Sequence, residues 1–252
     1  YIRKLNIRNF SKKYKGGKKA VSKLTLSIES GDIYGFIGHN GAGKTTTIKA
    51  VVGIMDFEEG DIFINGISVK EEPIKCKKIT AFIPDNPDLP EYLTGIQYLN
   101  FMADVFEVSK EERENAISKY AELFEVTGVL GDLISSYSHG MKQKIAIIGA
   151  LIHKPKLLVL DEPFVGLDPR AAVVLKDIMH KMCEEGAAIF FSTHVLEVAE
   201  KLCNKAAIIK EGKLVAAGTM QELTGGESLE SVFMEVLGYG KADTKTDSTT
   251  TV

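Results

Sequence analysis

The spacing of apolar residues changes character along the chain, and each change predicts a different element. Near the start it alternates. "KLNIRNFSKKY" and "KLTLSI", with Leu24, Leu26 and Ile28 on one face, predict β-strands. "DIFINGISV" places Asn65-Gly66, a pair suited to a type I′ turn, between two β-rich runs and predicts a hairpin. The first third therefore predicts an antiparallel layer flanking a glycine-rich stretch. From Thr94 to about Thr127 the period becomes helical, through "IQYLNFMADVF" and "SKEERENAISKYAELFEV", with Ser109 and Glu112 as a capping box. In the last third, "KLLVLDE" and "AAIFFSTH" are continuous apolar runs of the kind buried in parallel sheets. "PRAAVVLKDIMHKMCEEG" between them predicts a helix ended by Gly186, "VLEVAEKLCN" another helix, and "KAAIIKEGK" a strand. This βαβα order predicts an α/β fold with a parallel sheet. A single unit over 1–240 is expected, with a helical subdomain inserted at approximately 86–154. The polar tail over 241–252 has no periodicity and is expected to be disordered.

Composition adds exclusions. With 252 residues and 44% hydrophobic content, the chain can bury a core without disulfides or metals. A net charge of −3 argues against a nucleic-acid coat, so no nucleic-acid partner is expected. Cys76, Cys183 and Cys203 are far apart, form no CxxC pair, and read as free, buried thiols in a reducing compartment. No apolar run approaches the ~20 residues that span a bilayer, and no signal peptide opens the chain, which begins at Tyr1 without a Met. A role at a membrane would need another chain to cross it.

Chemistry concentrates in "GHNGAGKT". It fits G-x-x-x-x-G-K-[ST], with an apolar strand, "DIYGFIG", before it and a helical pattern, "TTTIKAVVGIM", after it. Backbone amides from Gly38, His39, Asn40, Gly41, Ala42 and Gly43 curl into an anion nest, and the following helix adds its positive end at Lys44, Thr45 and Thr46. Lys44 can reach the β- and γ-phosphates, and the Thr45 hydroxyl can ligate Mg²⁺. The stretch predicts a nucleoside triphosphate site. "LLVLDEP" supplies two carboxylates at a strand end: Asp161 to hold Mg²⁺ through its water shell, and Glu162, turned the other way, to polarise attacking water. The basic run Lys12, Lys13, Lys15, Lys18 and Lys19 reads as a solvated hairpin near the nucleotide rather than a nucleic-acid or lipid contact.

The ordered set "GHNGAGKT", "YSHGMKQK", "LLVLDEP", "VGLDP" and "STH" resembles an ABC-type ATPase cassette from about Ile2 to Gly238. The resemblance implies a P-loop NTPase (RecA-like) core with an N-terminal antiparallel β subdomain, and ATP with Mg²⁺ as ligands. It gives Ser138 and Gly140 the signature role, binding the γ-phosphate of ATP held by an opposite protomer. Asp168 resembles the D-loop that crosses the dimer interface, and His194 the switch histidine at the γ-phosphate. Tyr14 stands where the family places an aromatic on adenine; a core or turn tyrosine is the alternative.

Two positions depart from the family pattern. Asp85 replaces the usual Gln near Mg²⁺, a carboxylate where the family has an amide. Tyr137, His139 and Met141 replace Leu, Gly and Gln of the signature, while Ser138 and Gly140 remain. The implied partners are a second cassette, identical or paralogous, and integral membrane permease subunits docked near Asp85. The implied place is the cytoplasmic face of the membrane. A "SLESVF" ending without an appended domain resembles exporter-type cassettes. The rival readings are a soluble ABC ATPase of translation or repair type, disfavoured by one cassette and no sustained heptads, and a GTP switch. "NKAA" at Asn204 lacks the Asp that guanine reading requires.

Overall fold

A strand that must be buried on both faces needs apolar residues at every position, and Ile33–Ile37 meets that requirement. In the computed structural model, which describes residues 2–17 and 19–238, all five residues of this segment are buried. Ile33 and Ile37 face one core while Tyr34 and Phe36 face the other. Tyr1, Lys18 and the tail over 241–252 lie outside the described residues.

In chain order the elements are β1 (Arg3–Lys13), β2 (Lys19–Glu29), β3 (Ile33–Ile37), α1 (Lys44–Val51), β4 (Glu59–Ile64), β5 (Ile67–Ser68), α2 (Pro73–Lys78) and β6 (Thr80–Ile83). Then come α3 (Gly95–Val105), α4 (Lys110–Leu123), α5 (His139–Leu151), β7 (Leu157–Asp161), α6 (Pro169–Glu184) and β8 (Ala188–Thr193). The chain continues with α7 (Leu196–Leu202), β9 (Lys205–Lys210), β10 (Lys213–Thr219), α8 (Met220–Thr224) and α9 (Leu229–Val236).

Two sheets result. The first, ordered β2-β1-β4-β5, is antiparallel throughout. Its β4–β5 hairpin turns at Asn65 (φ 50°) and Gly66 (φ 83°), the two left-handed residues of a type I′ turn. The second is ordered β10-β9-β3-β8-β7-β6 and is parallel except for its β10 edge. This is the α/β fold expected from the βαβα pattern. One apolar cluster fills the space between the sheets; the other packs the helices on the far face. The alternation of β1 is imperfect. Bulges interrupt its pairing around Asn9 (φ 49°), and Lys4 is buried rather than solvated.

The caps differ in part from expectation. Ser109 accepts from the Glu112 amide at 3.3 Å, but the Glu112 carboxylate takes the Ser109 hydroxyl rather than its amide. The capping box there is half formed. Complete boxes close instead at Thr94–Gln97 and Thr219–Glu222. Cys76 and Cys203 are buried and Cys183 is partly so; burial raises all three thiols, Cys183 to about 12, which leaves them unreactive. Among the described residues no helix is long and apolar enough to cross a membrane.

Candidate nucleotide-binding and hydrolysis site

The glycine-rich loop leaves β3 at its C-terminal end, where β3 lies between β8 and β9. Its turns need glycine for concrete reasons. A Cβ on Gly38 would stand 2.6 Å from the Ile209 carbonyl. Gly43 has φ 109°, and a Cβ there would stand 2.7 Å from the Ala20 carbonyl. Gly43 is also the N-cap of α1 and offers no side chain to its first amides, which leaves them for an anion.

Lys44 is buried at the start of α1. Its ammonium donates to the Gly38 carbonyl at 2.5 Å and the His39 carbonyl at 3.3 Å, and lies 3.7 Å from a Glu162 oxygen. Burial lowers its pKa, while Glu162 and then Asp161 oppose that shift. Thr45 donates its hydroxyl to Asp161 Oδ2 at 2.8 Å. Ser192, at the end of β8, donates to Asp161 Oδ1 and accepts from the Glu162 amide at 3.2 Å.

Glu162 has φ 48°, a left-handed conformation that costs a non-glycine residue about 1–2 kcal/mol. The twist separates the two carboxylates. Asp161 meets Thr45 and Ser192, whereas Glu162 meets Lys44 and His194. His194 Nδ1 lies 2.9 Å from Glu162 Oε1, and the His194 amide donates to Oε2 at 3.4 Å. The half-exposed imidazole is thus a partner of Glu162.

These groups border a cavity of about 720 Å³. Asn40, Gly41, Gly43, Lys44, Thr45 and Thr46 form its floor, and Tyr14, Asp85, Asp161 and Glu162 line it too, with Lys19 and Glu211. Tyr14 shares a hydrogen bond with Thr46 at 3.0 Å between their hydroxyls. Asp85 is exposed, and its Oδ1 accepts from the Asn86 amide at 2.9 Å. The Thr45 hydroxyl and Asp161 carboxylate form an oxygen donor pair, with Asp85 on the same cavity, which suits a hard divalent cation. Gly38, His39 and Ala42 do not border the cavity: Gly38 and His39 turn their carbonyls to Lys44, and the His39 ring packs edge-on to Phe233 of α9 at 5.0 Å.

Ser138, Gly140, Asp168 and His194 do not line this cavity. Ser138 caps α5, accepting from the Met141 amide at 3.2 Å. A Cβ on Gly140 would stand 3.1 Å from the Gly166 carbonyl, so the signature helix and the "VGLDP" loop touch through glycine. Asp168 caps α6 by accepting from the Ala171 amide at 2.8 Å, and pairs with Lys144 of α5 at 2.7 Å. The Lys144 hydrogen bond holds its carboxyl below the usual range. Two further residues support the site from inside quoted segments whose pattern gives them no role. Ser192 is one. Gln143 is the other: buried in α5, it donates to the Pro163 carbonyl at 3.1 Å and so ties the signature helix to the segment after Glu162.

The family model described as ABC transporter matches residues 21–165, more than half of the 252-residue chain. The chain belongs to the ABC transporter ATP-binding family. A relative in Bacillus subtilis (strain 168), the uncharacterized ABC transporter ATP-binding protein YhcH, is 37% identical over 213 residues, covering 84% of this chain and 68% of its own. The linearmycin resistance ATP-binding protein LnrL of the same organism is 32% identical over 242 residues, covering 94% and 76%. A solved ATP binding subunit of an ABC transporter superposes with a TM-score of 0.89 at 33% identity, covering 92% of this chain and 99% of that one. In this ABC cassette the phosphate loop and "LLVLDEP" segments border one cavity, "STH" adjoins it through Ser192 on Asp161 and His194 on Glu162, and the signature segment does not line it.

Proposed function

We propose that this chain is the ATP-hydrolysing subunit of a transporter, working as a pair of cassettes that close head to tail on ATP. The observation that supports this is the convergence of Lys44, Thr45, Asp161 and Glu162 on one cavity that Ser138 and Gly140 do not reach. A second copy, or a paralogue, would present its own Ser138 cap and Gly140 backbone to the open side of the phosphate. Lys44 binds and orients the transferring phosphoryl. Glu162, held by His194 and Lys44, takes the proton of the attacking water. Thr45 and Asp161 would hold Mg²⁺, which supplies charge neutralisation at the phosphate oxygens. Asp85 adds a third carboxylate on the rim, and the Tyr14 ring offers a face to the base.

We assign one cassette to 1–240, with the helical subdomain at approximately 86–154. A groove of about 360 Å³ runs between the β6 edge and this subdomain beside Asp85, lined by Phe82, Pro84, Leu89, Tyr98, Met102 and Phe106. Its apolar lining supports docking of a cytoplasmic segment of a membrane permease subunit, and that docking would hold the cassette peripherally at the cytoplasmic face. Export is the favoured direction. The chain's "SLESVF" helix and its similarity to a resistance protein both support it.

The test is Glu162→Gln with ATP and Mg²⁺. The variant should bind ATP, turn over at under about 1% of wild type, and run as a stable dimer by light scattering. Wild-type turnover, or a monomer at saturating ATP, refutes the reading. Co-purification with a multi-span membrane protein checks the transporter role separately.

A further inference from the structure

At the opposite end of the parallel sheet from the phosphate loop, β1, the α5–β7 connection and the α6–β8 turn enclose a cavity of about 250 Å³, with Tyr120 of α4 as one wall. Three lysines line it: Lys4, Lys154 and Lys156. Lys4 is only 9% exposed. Among the described residues its ammonium has no ion pair and no hydrogen-bond acceptor, and it is not sealed from water. The Lys4 stem is buried while the ammonium keeps a route to water through the cavity, so an anion entering there would meet an unpaired charge. Burial and the nearby Lys156 charge both lower its pKa. Lys154 pairs only with the exposed Glu112, at 3.5 Å. Glu185 is the one carboxylate among the lining residues. The C-terminal ends of α5 and α6 add partial negative charge nearby. Three ammonium groups against one carboxylate still leave the cavity net positive.

We propose that this cavity binds a small phosphate-type anion, held by Lys4, Lys154 and Lys156. The anion supplies Lys4 with a counter-charge. It touches the antiparallel layer through Lys4, the helical block through Tyr120, and the parallel sheet through the residues that precede β7 and β8. The inference is independent of the ATPase reading, since none of these residues borders the nucleotide cavity. Free phosphate and the phosphate of an anionic lipid headgroup share the required chemistry.

The experiment uses the full chain carrying Lys44→Ala, which silences the phosphate loop. Inorganic phosphate is titrated by calorimetry and by thermal unfolding, with chloride at matched ionic strength as the control. Phosphatidylglycerol and phosphatidylcholine vesicles are co-sedimented in parallel. Phosphate should bind and raise the Tm. Added Lys4→Met should weaken binding at least about tenfold, while its own Tm without phosphate equals or exceeds that of its parent. Glu185→Gln should tighten binding a few-fold. Exposed Lys156→Met provides the same loss if Lys4→Met does not fold. Binding to free phosphate alone assigns the site to the soluble anion. Sedimentation with phosphatidylglycerol only, reversed by phosphate and lost in Lys4→Met, assigns it to a headgroup. Silence in both arms, or unchanged binding in all three variants, overturns the proposal.

Discussion

Thr45 donates its hydroxyl to Asp161 at 2.8 Å, joining two segments 116 residues apart. The bond aligns the two oxygen groups offered to a cation and keeps them close before any nucleotide arrives. Asp161→Asn preserves a side chain that can accept this hydrogen bond but removes the charge. We expect Mg²⁺ to stop improving nucleotide binding in that variant, with affinity in Mg²⁺ lowered roughly tenfold or more. Affinity in EDTA should match wild type. Calorimetry with ADP in the two buffers reads the difference directly.

Ser192 is a small residue with two tasks. Its hydroxyl donates to Asp161 and accepts the Glu162 amide, so Ser192→Ala leaves a buried carboxylate oxygen short of a donor, while the Glu162 amide keeps only the Ser192 carbonyl at 3.2 Å. The expected cost is about 1–3 kcal/mol of folding stability. Denaturant midpoints measure that loss, and ATP turnover should fall in the same variant because the left-handed Glu162 loses an anchor.

Gly43→Ala tests the geometry of the phosphate loop without touching a charged group. The added Cβ meets the Ala20 carbonyl at 2.7 Å in a backbone held at φ 109°. A loss of about 2 kcal/mol or more is expected. Unlike a purely surface loop change, it should lower nucleotide affinity and unfolding temperature together.

His153 follows α5 and stacks on Phe106 at 3.6 Å between centroids. Burial pushes its pKa down from 6.5 to about 4. The unfolded chain therefore takes up a proton in the window between those values that the folded chain refuses. The associated stability is intact above pH 6.5 and is lost as the pH falls toward 4. Between pH 7.5 and pH 5 the loss should be about 2 kcal/mol. His153→Phe keeps a stacking ring and should flatten this pH dependence in urea melts. A wild-type slope in His153→Phe would assign the effect to other groups.

Features carried by short spacings were open to reading from the sequence. The phosphate loop, the Asn65-Gly66 hairpin and the apolar runs of β7 and β8 each declare themselves within ten residues. Features made by chain segments meeting in space were not. "FFST" reads as the end of a buried strand, and nothing in it says that Ser192 will meet Asp161 across 31 positions. β10 passes unnoticed because "KLVAAGT" has small residues and a weak alternation, and its pairing with β9 supplies what propensity does not. Lys4 fails for a similar reason. Strand alternation assigns it to water, but the α5–β7 connection and the α6–β8 turn cover it. At Ser109, the capping pattern is present and the Glu112 carboxylate takes the hydroxyl instead of the amide, a choice between two nearby donors that spacing cannot make.

The placement of β3 bears on how the protein is made. Both of its hydrogen-bonded neighbours, β8 and β9, are synthesised more than 140 residues after it, since β3 ends at Ile37 and β8 begins at Ala188. Contacts of such long sequence separation form late and slowly. A chain still emerging from the ribosome carries "GHNGAGKT" complete yet cannot hold it in shape until β9 has left the exit tunnel. ATP capture thus waits for the β9 segment, and a nascent copy that lacks it has no shaped phosphate loop to offer.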